Sequence, residues 1–244
     1  MRSLFVNNGP VKIHVLENGA PSDNIPTLLV ISGIWEPAER AIPILSGIHS
    51  HVIALSLRGR GLSSTPESGY SLNDHLSDIQ AVVKHFSLNN YCVLGFSRGA
   101  AYAISWSLIN QQNMSGLILV DHPPIHTGLS SKQVEFWTNF EYLGVPILNF
   151  MREKAIIGLA RDAKETNFCA DLVKLKLPVV LFVGRNENSK ILSNVSNEEL
   201  ENYKNAMPSI SLVYFMQSGH MISDEEPDKY IEEIDAFINR VSKK

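Results

Sequence analysis

Cysteine is almost absent from the 244 residues: Cys92 and Cys169 are the only two. That is too few for a disulfide framework, and their spacing is not that of zinc ligands, which fits a reducing cytoplasm. Positive charge is not in excess either. With 21 Lys plus Arg against 25 Asp plus Glu the formal net charge is −4, the wrong sign for a nucleic-acid partner. No apolar run reaches the length of about 18 residues that a membrane helix requires, and the start, Met1-Arg2-Ser3-Leu4-Phe5-Val6-Asn7-Asn8, lacks the apolar stretch of a secretion signal. There is no internal repeat and no low-complexity segment. What is present is 44% hydrophobic and 19% charged, enough apolar material for a sizeable core and too little polar bias for disorder. One cytoplasmic domain is expected, a monomer or homodimer with no nucleic-acid partner and no membrane span.

Short β-branched runs recur between helical patterns. Residues 11–16 alternate, whereas 27–31, 52–55, 91–94, 117–120 and 179–183 are nearly continuous apolar blocks, the pattern of strands buried on both faces. Residues 4–6 and 11–16, joined by Asn7-Asn8-Gly9-Pro10, have the turn chemistry of an antiparallel hairpin at a sheet edge. Helices are expected near 37–45, 72–86, 99–109 and 227–241. In the last, Tyr230, Ile231, Ile234, Phe237, Ile238 and Val241 recur every three to four positions, and Pro227 suits the first turn. This alternation predicts an α/β fold, a mostly parallel sheet wrapped by helices, with ligands at the carboxyl ends of the strands.

The rhythm breaks at 125–176, where no strand block occurs. Phe136, Trp137, Phe140, Tyr142, Leu143, Ile147, Leu148, Phe150 and Met151 form an aromatic-rich helical patch there. It reads as an inserted helical cap, leaving 1–124 and 177–244 as the core; the competing reading makes these ordinary core helices beside the sheet.

After the block at 91–94 comes Gly95-Phe96-Ser97-Arg98-Gly99, then Ala100-Ala101-Tyr102-Ala103. A G-x-S-x-G pentapeptide between a buried strand and a small-residue helix is the pattern of a nucleophile elbow, where Ser97 takes a strained backbone and the glycines avoid neighbouring chains. The helix N-terminus beside it favours developing negative charge. A plain helix cap by Ser97 is the alternative.

With these residues in view, the chain resembles the α/β-hydrolase superfamily over nearly its whole length. The further matches are Ser32-Gly33-Ile34-Trp35, Leu57-Arg58-Gly59-Arg60-Gly61-Leu62-Ser63, Ser218-Gly219-His220 and Glu225-x-Pro227, in the family order. The resemblance implies an eight-stranded sheet, a Ser nucleophile, a late acid, a final His and a cap inserted after the strand that ends at Asp121. It also carries departures: Ser32 stands where His is common, Ser56 where Asp is common, and Glu187 where the acid is usually Asp.

A serine hydroxyl is a weak nucleophile, so hydrolysis needs a base and a carboxylate that fixes its tautomer. Among eight histidines, His220 is the expected base, in a Gly-flanked loop before the last helix. His49 and His51 precede a strand at its wrong end, His75 and His85 read as helix-surface residues, and His122 and His126 as pocket lining or plain loop. Glu187, in Gly184-Arg185-Asn186-Glu187, is ranked first as the acid and Asp121 second. The oxyanion donors are expected to be the backbone amides of Arg98 and Ile34. Trp35, Phe96, His122, Trp137 and Phe140 are the expected substrate-binding residues, and no metal or other cofactor is implied.

Ser97 in place of Asp argues against carboxylate attack on an electrophilic carbon and leaves acyl transfer. Arg58, Arg60 and Arg98 lie on loops near the expected site, where one could receive a substrate carboxylate, structural pairing being the alternative. The expected activity is metal-independent serine hydrolysis of a small ester, thioester or lactone with an apolar part. A ligand receptor or inactive homologue, and a carbon–carbon-bond hydrolase or lyase using the same triad, stay open at this stage.

Overall fold

The computed structural model describes residues 1–243. Eight strands make one sheet: β1 (Arg2–Asn8), β2 (Val11–Asn18), β3 (Thr27–Ile31), β4 (Val52–Leu55), β5 (Tyr91–Phe96), β6 (Met114–Val120), β7 (Val179–Gly184) and β8 (Ser211–Phe215), in the order β1-β2-β4-β3-β5-β6-β7-β8. β1 and β2 form the edge hairpin, with Asn8 opposite Val11 and Gly9 at φ +58°. β2 meets β4 antiparallel, and every later pair is parallel.

The continuous apolar blocks are explained by burial on both faces. β3, β5 and β7 are buried at every residue. Alternate side chains go to two separate cores: Leu28, Val30, Leu94 and Phe182 to one, Leu29, Ile31, Val93 and Leu181 to the other. The first core is closed by α1 (Ile42–Gly47) and α8 (Pro227–Val241), whose Tyr230, Ile234, Phe237 and Ile238 are buried. The second is closed by α2 (Leu72–His85), α3 (Arg98–Asn110) and the later α6 (Asn197–Ala206). Removing such a side chain from water is worth about 1.5–3 kcal/mol, so the spacing of α8 alone fixes which way it faces. α6 escapes the sequence pattern because only Leu200 and Tyr203 turn inward.

Between β6 and β7 the chain leaves the sheet. Ile125–His126 pairs with Thr166–Asn167, and between them run α4 (Ser131–Asn139), a hairpin of Glu141–Tyr142 with Val145–Pro146, and α5 (Glu153–Asp162). Backbone bonds from Gly61 to the Phe150 carbonyl and from Arg152 to the Gly59 carbonyl tie this excursion to the loop after β4. A four-residue α7 (Ile222–Glu225) precedes α8. Among the described residues no helix is long and apolar enough to cross a membrane.

Candidate active site

β3, β5, β6 and β7 end along one rim, and the loops leaving it carry the polar groups of interest. Ser97 sits between β5 and α3 at φ +52°, ψ −129°, with its N–H donating to the Val120 carbonyl at 2.9 Å. Both flanking glycines are required by close approach. A Cβ on Gly95 would lie 2.6 Å from Ala100 Cα, and one on Gly99 only 2.2 Å from the Ile31 carbonyl oxygen. The positive φ at Ser97 costs about 1–3 kcal/mol; the packing around it holds it there, and the side chain is pushed clear of both neighbours.

His220 follows β8. Its N–H donates to the Ile191 carbonyl at 2.8 Å, and its ring stacks on Phe96 with centroids 4.9 Å apart. Nδ1 lies 2.8 Å from Asp121 Oδ2 and Nε2 lies 3.0 Å from Ser97 Oγ. These partners assign the tautomer: Nδ1–H donates to the carboxylate, leaving Nε2 to accept the serine proton. Asn194 Nδ2 is a second neighbour of Nε2 at 3.3 Å.

The carboxylate in this chain is Asp121, not Glu187, which reverses the order expected from sequence. Asp121 follows the last residue of β6 at φ +48° and is fully buried. Its Oδ1 accepts from the Gly184 N–H (3.1 Å) and Ser193 Oγ (2.6 Å), and its Oδ2 from the Asn194 N–H (2.9 Å) as well as His220. Glu187 is exposed. The reason is register: Val120 pairs with Phe182, so Gly184 already lies level with the Asp121 carboxylate. The turn beyond it then bends outward, with Asn186 bonded to the Ser218 and Gln217 carbonyls.

The Ile34 amide, in the loop after β3, makes no backbone hydrogen bond among the described residues, and Arg98 is the first residue of α3, where an N–H has no partner within the helix, so both remain available to an acceptor. The serine opens into a cavity of about 490 Å³ lined by Ile34, Trp35, Phe96, Ser97, Phe136, Trp137, Phe140, Tyr142, Ile191, Leu192, His220 and Met221, with Asn194 and Lys190 as polar members. Trp35, Phe96, Trp137 and Phe140, which the sequence offers as substrate-binding residues, are among those lining it, and Tyr142 joins them.

His122 does not line this cavity. Its Nε2 lies 3.2 Å from the Ile125 carbonyl, and burial, then the nearby His220 and Arg98, push it down to about 3, so the ring is neutral. His126 is buried, with Nδ1 on the Lys164 carbonyl and Nε2 accepting from Arg98, and burial followed by the Arg98 charge lowers it to about 4. His75 is fully buried rather than on the surface. Its Nδ1 donates to the Ser71 carbonyl, and its Nε2 accepts from Arg60.

None of the three arginines offers its guanidinium to the cavity. Arg58 makes a bidentate pair with buried Asp78, both contacts at 2.7 Å. Arg60 donates to the carbonyls of Ile34 and Arg58. Arg98 donates to Tyr102 Oη and the Thr127 carbonyl. No group of three or more His, Cys, Asp or Glu side chains suited to a metal ion forms among the described residues.

An alpha/beta hydrolase fold family matches residues 24–178. The chain belongs to that family. Among curated proteins it is similar to N-formylmaleamate deformylase of Pseudomonas putida, 24% identical over 97% of this chain and 98% of the relative. Among solved structures, an enol-lactonase from Burkholderia xenovorans superposes with a TM-score of 0.79 at 12% identity, covering 98% of this chain and all of the other. An esterase from Exiguobacterium antarcticum does so at 0.77 with 19% identity, covering 98% and 100%. At those identities the structures speak for the fold of this family member, and the deformylase marks a hydrolase among its relatives.

Proposed function

We propose that this alpha/beta hydrolase is a metal-independent serine hydrolase that passes the acyl group of a small ester, thioester or lactone through Ser97 to water. The reading is carried by one observation: Ser97 Oγ, His220 and Asp121 form a continuous hydrogen-bonded chain whose serine end opens into an aromatic-walled cavity. In this reading the Ser97 hydroxyl attacks the acyl carbon as His220 Nε2 takes its proton. Asp121 holds Nδ1–H and stabilises the imidazolium, and the amides of Ile34 and Arg98 receive the oxyanion. His220 then protonates the leaving group, and water enters by the same steps in reverse. Serine activated in this way needs no Lewis acid.

Substrate class follows from what lines the cavity. Trp35, Phe136, Trp137, Phe140 and Tyr142 favour an apolar or aromatic group, and the arginines that could have gripped a carboxylate are engaged elsewhere. Residues 125–176 act as the cap that supplies most of this wall. Free thiols at Cys92 and Cys169 support a cytoplasmic setting.

The test is labelling with a fluorophosphonate and with 4-nitrophenyl esters of acetate, hexanoate and phenylacetate, followed by peptide mass spectrometry. The expected result is one adduct on Ser97, with the longer and aromatic esters turned over best. A folded protein that takes no label on Ser97 and hydrolyses none of them refutes the reading.

A further inference from the structure

The short loop that presents the Ile34 amide is held on both sides by charged side chains outside the cavity. On one side the Gly33 N–H donates to Glu36 Oε2 at 3.0 Å, while Glu36 Oε1 accepts from Arg40 Nε at 3.1 Å. On the other side the Ile34 carbonyl accepts from Arg60 Nε at 2.8 Å. The Gly33 N–H before it and the Ile34 carbonyl after it are thus engaged, while the Ile34 N–H itself makes no backbone hydrogen bond among the described residues and is left for an oxyanion. Arg40 continues the first arm to Asp224 at 2.6 Å, and its charge opposes the burial that raises Glu36.

Both anchors are costly. Glu36 is 5% exposed and Arg60 is 0% exposed, and a buried ion carries a penalty of several kcal/mol unless its partners are good. Arg60 has no carboxylate among its hydrogen-bond partners: besides the Ile34 and Arg58 carbonyls it reaches only neutral His75, and its Nη2 makes no hydrogen bond. An apolar side chain would fill the same space at lower cost. The retained charge lies directly behind the peptide unit next to the site where negative charge would develop.

We propose that Glu36 and Arg60 are positioning residues that clamp Gly33 and Ile34 so that the Ile34 N–H faces the oxyanion, Arg60 also adding a positive charge without a hydrogen-bonded carboxylate behind it. The proposal rests on the serine-hydrolase reading. Neither residue lines the cavity that Ser97 opens into, so the clamp acts on the transition state and not on ground-state binding. Loss of one oxyanion donor costs about 10² to 10³ in kcat, and a displaced donor costs up to that much.

The experiment measures kcat and KM per fluorophosphonate-titrated Ser97 in wild type, Glu36→Gln, Glu36→Leu, Arg60→Lys and Arg60→Met, with circular dichroism on each. Expected are falls in kcat of about tenfold for Glu36→Gln and Arg60→Lys, and about 10² for Glu36→Leu and Arg60→Met, with KM within threefold throughout. Partial rescue by Lys over Met is part of the expectation. A purely structural role would lower the titratable fraction and leave kcat per titrated site unchanged. Should Arg60→Met not fold, Arg60→Lys and Glu36→Gln decide, and kcat within twofold of wild type in both overturns the clamp. Wild type that never labels on Ser97 overturns the hydrolase reading and the clamp with it; wild type that labels beside indifferent variants overturns the clamp alone.

Discussion

At the carboxyl ends of β5 and β6, Ser97 and Asp121 are both buried and both held at positive φ, and the Asp121 carboxylate accepts four hydrogen bonds. Across the cavity α4 has no buried residue at all, and its Phe136 is 51% exposed. The sheet rim is fixed by backbone geometry and directional bonds, which tolerate no approximation. The α4 wall is fixed by apolar area, which is non-directional and scales with size. Substitutions on the rim should therefore act all or nothing on chemistry, and substitutions on the wall should act by degrees on which substrate is accepted.

The sharpest way to break this comparison is Ser97→Ala. In the proposed mechanism Ser97 is the nucleophile and contributes little packing, so removing its hydroxyl should cost about 10³ to 10⁶ in kcat, with circular dichroism and melting temperature unchanged. Ester turnover within tenfold of wild type would mean that the rim is not where the chemistry happens.

Next in size comes the acid. Asp121→Asn should lower kcat by about 10² to 10⁴ and leave KM nearly unchanged, on the scale of a triad carboxylate, whereas Glu187→Gln should stay within about twofold. Measured kinetics in the opposite order would return the acid to the loop after β7. Because Asp121 also binds the Gly184 and Asn194 amides, urea melts must accompany the kinetics to separate chemistry from stability.

That ranking is also where the sequence expectation and the geometry part, for a physical reason. Strand blocks, the elbow at 95–99 and the loop of His220 are local patterns, and local patterns are legible. Asp121 and Glu187 both follow strand ends, and the choice between them depends on how β6 registers against β7, a tertiary fact no window of sequence contains. His75 failed in a similar way. On α2 the polar residues His75 and Asp78 look like a solvated face, yet they are buried against Arg60 and Arg58. A satisfied buried polar network and an exposed polar stripe share one sequence pattern. The arginines follow from this: read from sequence they could grip a carboxylate, but the folded chain uses them internally. A local signal for Asp121 was an acid directly after the apolar block 117–120, at a residue type that tolerates positive φ.

The α4 wall can be tested by degrees. Trp137→Ala should lower kcat/KM for a phenylacetyl ester by about tenfold through lost apolar contact, while an acetyl ester changes less than threefold. Equal losses on both esters would show that α4 acts on the chemistry after all, which would erase the contrast between the two sides.

The smallest effect lies on the seam between the two regions, where His126, in the first short strand beyond β6, accepts from Arg98 beside the elbow and contacts the Lys164 carbonyl. Burial and then the Arg98 charge hold this imidazole down to about 4, against an ordinary value near 6.5 in the unfolded chain. Between those values the unfolded state binds a proton that the folded state does not, so stability falls as pH drops through that window. At pH 5 the penalty from this one group is on the order of 2 kcal/mol, and at pH 7.5 it is close to nil. His126→Gln removes the titration but can keep an acceptor for Arg98. Urea melts should therefore show wild type the more stable protein at pH 7.5, by about 1 kcal/mol for the altered hydrogen bonds, with the difference closing or reversing at pH 5. A gap between the two proteins that stays constant from pH 7.5 to 5 would mean that His126 is not held neutral, and that the seam between rim and cap is open to water.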